Sequence, residues 1–201
     1  MEMIIMAFIK SALEIAMERT KDVKIDPEAV KLDNLLKEGR KLASEYLFTV
    51  NFDKDKFKNK IKSYSGDSKK TFSEGIIKTF LSNIILPKNE NYEELLLNIQ
   101  SGLFEISKNG KDITVMMEQI KQFFIQYLEN RKQLIEAIKQ QYAPKLMQKQ
   151  QEMAQQYGHE VTLSPEQDPE FIEILKANLL KMETQYNESL TGAKEELGKI
   201  L

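Results

Sequence analysis

The chain has 201 residues, long enough that one large domain or two small ones bury roughly 70% of the unfolded surface and fold without a staple. Lys plus Arg number 29 against 31 Asp plus Glu, and a net charge of -2 gives no field of one sign that would gather nucleic acid or a polyanionic surface. With no Cys and a single His, disulfides, thiolate metal sites, cysteine nucleophiles and most His-based metal centres are excluded, which leaves carboxylate, Lys, Ser/Thr and Tyr chemistry. Eight Gly, five Pro and no Trp, in a chain that is 30% charged and rich in Leu, Ile, Lys, Glu and Gln, point to helices.

The first nine residues are nearly all apolar, yet Glu2 leads them and Lys10, Glu14, Glu18 and Arg19 follow. That is not the basic start and small-residue cleavage site of a signal peptide, and the run falls short of the ~20 residues that span a bilayer. Without such a signal or span, the cytoplasm is the default expectation. At helical spacing Ile5, Phe8, Ile9, Ala12, Leu13, Ala16 and Met17 form one broad stripe, which predicts an amphipathic helix. Ile4, Ile5, Phe8 and Ile9 are accordingly candidate interaction residues, packed on the domain itself or on a partner subunit. The polar face is too poor in Lys and Arg for a membrane anchor.

Asp26-Pro27-Glu28 predicts a helix start, because Asp26 accepts from free backbone N–H groups and Pro27 has none to leave unpaired. Helical spacing from Val30 to Val50 predicts that this helix runs past Gly39 to about Asn51. Asp53 opens a short helix with Phe57, Ile61 and Tyr64 on one face, and Ser65-Gly66 supplies a left-handed stop. Residues 67–86, the most apolar helix of the chain and the expected centre of the core, run to Pro87. Asn91-Tyr92-Glu93-Glu94 reads as a capping box ahead of Leu95, Leu96, Ile99 and Leu103. Residues 104–115 fit either helix, loop, helix or a β-hairpin turning at Asn109-Gly110. The helical reading is preferred, with Asp112 as the next cap, because an isolated two-stranded hairpin is marginal.

From Asp112 to Tyr157 the helical pattern runs on with one interruption, Pro144, which predicts a kink or break near residues 140–143. Gly158 to Pro165 is a turn region, and Asp168-Pro169-Glu170 starts a last helix of about 50 Å. The expected architecture is all-α: a multi-helix bundle over residues 1–108, then a long antiparallel, coiled-coil-like hairpin over 109–201, as two parts or as one continuous domain. The base of the hairpin packs on the bundle, its turn near Gly158 projects, and the returning helix docks beside Phe123, Phe124 and Tyr127.

Chemical motifs are scarce. Lys54, Lys56, Lys58, Lys60 and Lys62 scatter around a helix and are diluted by Asp53, Asp55 and Asp67, so they read as a solvated face rather than a phosphate site. His159 has no second His to share a metal, and Asp53-x-Asp55 lacks the later oxygen ligand and Gly of a calcium loop. A carboxylate pair drawn from Glu14, Glu18, Glu93 and Glu94 has no specificity among so many acids. No cofactor and no catalytic constellation is indicated. The stretch from Gln140 to Gln156 stands out by composition: glutamine is a good helix former without net charge, so it reads first as a solvated helix face, and in a sharper reading as a contact surface, because Met side chains adapt to irregular partners and Gln both donates and accepts. Met147, Gln150, Gln151, Met153 and Tyr157 are candidate interaction residues there. The expected function is a non-enzymatic interaction or scaffold protein that self-associates or binds another protein, without nucleic acid. The alternative is a holdase-like chaperone gripping clients at the tip, an outline similar to the arms of prefoldin-like holdases in shape alone.

Overall fold

A computed structural model describes residues 26–107 and 109–201 of the chain. Among these the protein is all-α, with no strand. The helices are α1 (Pro27–Phe48), α2 (Lys54–Lys62), α3 (Gly66–Asn83), α4 (Glu93–Ile106), α5 (Gly110–Tyr157) and α6 (Pro169–Ile200), the last preceded by a 3-10 turn (Pro165–Gln167). The amphipathic segment expected over Ile5 to Met17 lies outside the described residues.

Three helix starts follow the expected chemistry. Asp26 accepts from the Glu28 amide at 2.9 Å, Asp53 from those of Asp55 and Lys56 at 2.9 and 3.3 Å, and Asp168 from that of Glu170 at 3.0 Å. Two others do not. Tyr92, not Asn91, stands at the start of α4 without a side-chain cap, and the Asn91 backbone N–H that a capping box would offer to Glu94 donates instead to the Asn89 side chain at 3.0 Å. Asp112 lies inside α5, which already begins at Gly110. Within 104–115 the described residues are helical to Ile106 and again from Gly110, with no strand. α1 ends at Phe48, short of Asn51, whose φ of 56° takes it out of the helix. Ile84 to Leu86, expected in α3, lie outside it, and Ile84 stays fully packed in the core from an extended backbone. Gly66 does adopt the left-handed conformation, φ 57°, but it opens α3 instead of closing α2. α5 runs unbroken through Pro144.

α1 and α3 lie side by side at unusually close range. A Cβ on Gly39 would overlap the Phe72 carbonyl oxygen, and one on Gly75 would overlap the Leu36 carbonyl oxygen, in each case well under 3.0 Å. The two glycines therefore let backbone meet backbone, and Leu42, Ala43, Phe72 and Ile76 close over the crossing. Beside it Tyr46, Phe57 and Phe80 form an aromatic cluster with centroids 4.4 to 6.1 Å apart.

The same core continues across residue 108. Ile99 and Leu103 of α4 meet Ile113, Met117, Ile120 and Phe124 of α5, and Leu190 and Leu197 of α6 close the far side. α6 returns antiparallel along α5: Tyr186 packs on Phe123 and Tyr127, both at 5.1 Å between centroids, and Asn109 donates to the Ile200 carbonyl at 3.0 Å. Beyond Tyr127 the two helices leave the core and run on as a two-helix arm.

Candidate interaction surface on the helical arm

From Tyr127 to Tyr157, α5 rises about 45 Å. The arm has its own small core, in which Ile138, Tyr142 and Leu146 of α5 enclose Phe171 of α6, with Leu134, Leu163 and Leu175 around them. Phe171 is fully buried, and its ring lies 5.3 Å from that of Tyr142. Such a cluster is small for a structure that two helices must hold alone, and a polar knot closes its distal side.

The knot gathers Tyr142, Lys145 and Lys149 from α5 with Asp168 and Glu170 from the start of α6. The Lys149 ammonium donates to both Asp168 oxygens, at 2.9 and 2.7 Å, to Glu170 Oε2 at 3.0 Å and to the Tyr142 hydroxyl at 3.0 Å. Tyr142 in turn donates to Asp168 Oδ2 at 2.7 Å, and Lys145 pairs with Glu170. Only 3% of the Asp168 side chain is exposed, and the same carboxylate caps α6. Hydrogen bonds from Lys149 hold the Asp168 carboxyl down to about 2 despite burial, and the bonds to Asp168, Tyr142 and Glu170 push the Lys149 ammonium well above its ordinary 10.5. A general acid or base works best with a pKa near the operating pH. Here the acids are fixed ionised and the lysine fixed protonated, two charges of each sign, so at neutral pH the knot clamps the arm and has no proton to exchange.

Two further ties hold the returning chain. Gln150 donates to the Leu163 carbonyl at 2.8 Å, and Lys139 pairs with Glu166 at 2.9 Å. The turn itself is made by Gly158, φ 73°, which ends α5 in the left-handed conformation.

The structure divides the residues singled out on the arm. Met147 and Gln151 are exposed on the outer face of α5, Met147 at 61%. Gln150 and Met153 are half-buried, Gln150 through its bond to Leu163. Tyr157 is 58% exposed at the tip, where it stacks on His159 at 6.3 Å. Ile4, Ile5, Phe8 and Ile9 lie outside the described residues. Nothing in the sequence marked Lys149 as the centre of the knot. The available signal was a lysine seven residues after Tyr142, on the apolar face of its helix.

Within the basic run, Lys56, Lys58 and Lys60 pair with Glu45, Glu105 and Glu38 at 3.7, 3.2 and 3.2 Å. Glu38 also accepts from the Tyr64 hydroxyl at 2.6 Å, the main cause of its lowered pKa. Among the described residues no three His, Cys, Asp or Glu side chains converge on one point, and no helix is long and apolar enough to cross a membrane. A shallow groove of about 650 Å³ follows α1 past Val30, Leu35, Glu38 and Lys41.

A helical bundle carrying a clamped two-helix arm is thus the class of structure. Residues 58–199, about seven tenths of the chain, match the model of a family of unknown function, DUF6657, and the chain belongs to that family. The match takes in most of α2 and the whole of the arm. No curated protein and no solved structure matches the chain.

Proposed function

We propose that the protein is a non-enzymatic interaction protein of the cytoplasm that associates with itself or with another protein through its helical surfaces. The observation that carries this reading is the arm. The main core is complete by Phe124 and Leu190, so the outer 45 Å or so of hairpin adds little to it, yet is held rigid by its own cluster and knot. A rigid projection beyond a finished core presents surface to a partner. Exposed Phe48, Val50, Ile85 and Leu97 on the bundle add apolar contact area. The solution mass of the full chain across a concentration range tests self-association. A mass above 23.4 kDa is expected; if it falls on removal of Met1 to Ile9, the contact belongs to that segment, and if it persists, to the described helices. A monomer at every concentration refutes self-association.

Met147 and Tyr157, both more than half exposed near the distal end, favour a second reading, a holdase that grips unfolded clients there. Suppression of client aggregation that is lost in Met147→Ser/Tyr157→Ser would support it. Equal suppression by that variant, or none by either protein, would remove it.

A further inference from the structure

The outer face of α5 carries a feature that neither the core nor the knot requires. Gln119, Gln122, Gln126, Gln133, Gln140 and Gln151 are spaced 3, 4, 7, 7 and 11 residues apart, which at 3.6 residues per turn places them on one line along the helix. All six are exposed, and the line lies opposite the buried row of Met117, Phe124 and Tyr142. It extends from Val115 to Gln155, roughly 60 Å. Within about 40° of it the one ionisable side chain is Glu129, which accepts from Gln133 Nε2 at 2.9 Å. In a chain that is 30% charged, this is a long face with a single charge.

We infer that this glutamine face is where a second copy of the chain docks, α5 against α5 in antiparallel sense; the inference rests on the reading of the protein as self-associating and assigns its surface. A carboxamide both donates and accepts, so a row of them satisfies an identical row running the other way, which a row of lysines or glutamates cannot do. The flanks fit the same symmetry. A two-fold axis at residue 134, beside the midpoint of the line, sets exposed Lys132 opposite Glu136 of the partner copy, and exposed Ile125 opposite Ala143 of the partner copy. Neither Lys132 nor Glu136 is engaged in an ion pair within its own chain among the described residues. Pro144, also on the line, has no N–H to give the Gln140 carbonyl, which leaves an acceptor free for a partner's amide. A strip about 60 Å by 10 Å buries about 600 Å² on each copy, at the low end for specific interfaces, so the dimer dissociates on dilution.

Sedimentation of the full chain between about 1 and 200 µM, a range chosen to bracket an interface of this size, tests the inference. The mass is expected to rise from 23.4 kDa towards twice that value. Gln133→Glu/Gln140→Glu sets four carboxylates around the axis and is expected to weaken the dimer at least about tenfold, as is Gln133→Lys/Gln140→Lys, because like charges then face each other. Both variants keep good helix formers on an exposed face, and an equimolar mixture of the two is expected to regain the wild-type mass. If the acidic variant dimerises as tightly as wild type, or the mixture stays monomeric, the glutamine face is not the interface even though the chain self-associates. If wild type is monomeric throughout, the self-association reading falls and takes this inference with it.

Discussion

Replacing Gly39 by Ala tests the closest packing in the molecule. At most helical glycines Ala is an improvement, by up to about 1 kcal/mol, because it narrows the unfolded ensemble and suits the helix. At Gly39 the added Cβ meets the Phe72 carbonyl oxygen well inside 3.0 Å, the Phe72 carbonyl carbon at 3.1 Å and the Gly75 Cα at 3.3 Å. All three are backbone, so no rotamer change relieves the overlap. Ordinary carbon–oxygen contact at about 3.3–3.6 Å requires α1 and α3 to part by more than about 1 Å, and a gap of that size forfeits about half or more of the dispersion energy across the seam. Overpacking of this kind costs about 1–3 kcal/mol, and here the upper end applies because two rigid backbones are involved. After the propensity gain, a net loss of about 2 kcal/mol is expected, a fall of about 1 M in the urea midpoint for an m-value near 2 kcal/mol/M. Gly192→Ala is the internal control, since a Cβ there meets nothing within 4 Å and its φ is ordinary; it is expected to raise the midpoint. Equilibrium unfolding in urea followed by far-UV circular dichroism reads both. If Gly39→Ala matches or exceeds wild type, the two backbones are not in contact at that point and the account of the α1–α3 crossing is wrong.

The arm gives two more expectations. Phe171→Ala empties the centre of the distal cluster and is expected to cost about 3 kcal/mol, the low end for a buried Phe because two helices collapse more readily than a full core. Hydrogen exchange should show amides near residues 138–149 and 169–175 opening roughly a hundredfold more often, while those around Phe72 and Phe80 keep their protection; loss of protection everywhere would mean that the arm is not a separate cooperative unit. The knot sets a pH dependence. Asp168 has its pKa lowered from 3.8 to about 2, so its contribution is complete above the unfolded value and disappears as pH falls from about 4 through 2. Lys149 is raised above 10.5, so its share is complete below that value and fades only in strong alkali. Exchange at the arm amides of wild type should therefore quicken between pH 4 and 2 beyond the intrinsic trend, and Asp168→Asn should remove that component; the same acid response in both proteins would mean that Asp168 is not the group concerned.

Much of this architecture is legible in the residue order, for identifiable reasons. An aspartate followed by proline or by polar residues ahead of an apolar period is a local signal, complete within four residues, and Asp26, Asp53 and Asp168 each mark a helix start. Asn91 and Asp112 carry the same residue types and fail: the Asn91 N–H bonds to Asn89 in one case, the helix starts earlier, at Gly110, in the other, and the cap stands one to three residues away. Pro144 breaks nothing although it sits in a helix interior. It is exposed, on the side of α5 away from α6, where water can replace the lost hydrogen bond.

What the residue order conceals is anything that depends on a partner far along the chain. Gly39 and Gly75 each look like a modest cost inside a helix, and only their juxtaposition turns that cost into the means by which α1 and α3 touch. Lys149 looks like one lysine among many, set on the apolar face of its helix without a visible partner, until the turn at Gly158 brings Asp168 back to it from 19 residues away. The glutamine line is intermediate. Its residues share one helix and its spacing can be counted directly, but the Gln-rich composition between 140 and 156 draws the eye to the tip and mixes two faces. Gln150 turns towards the returning chain and Gln151 away from it, one residue and about 100° apart. Burial separates them: the amide that ties the arm together is spent, and the one beside it remains available to a second molecule.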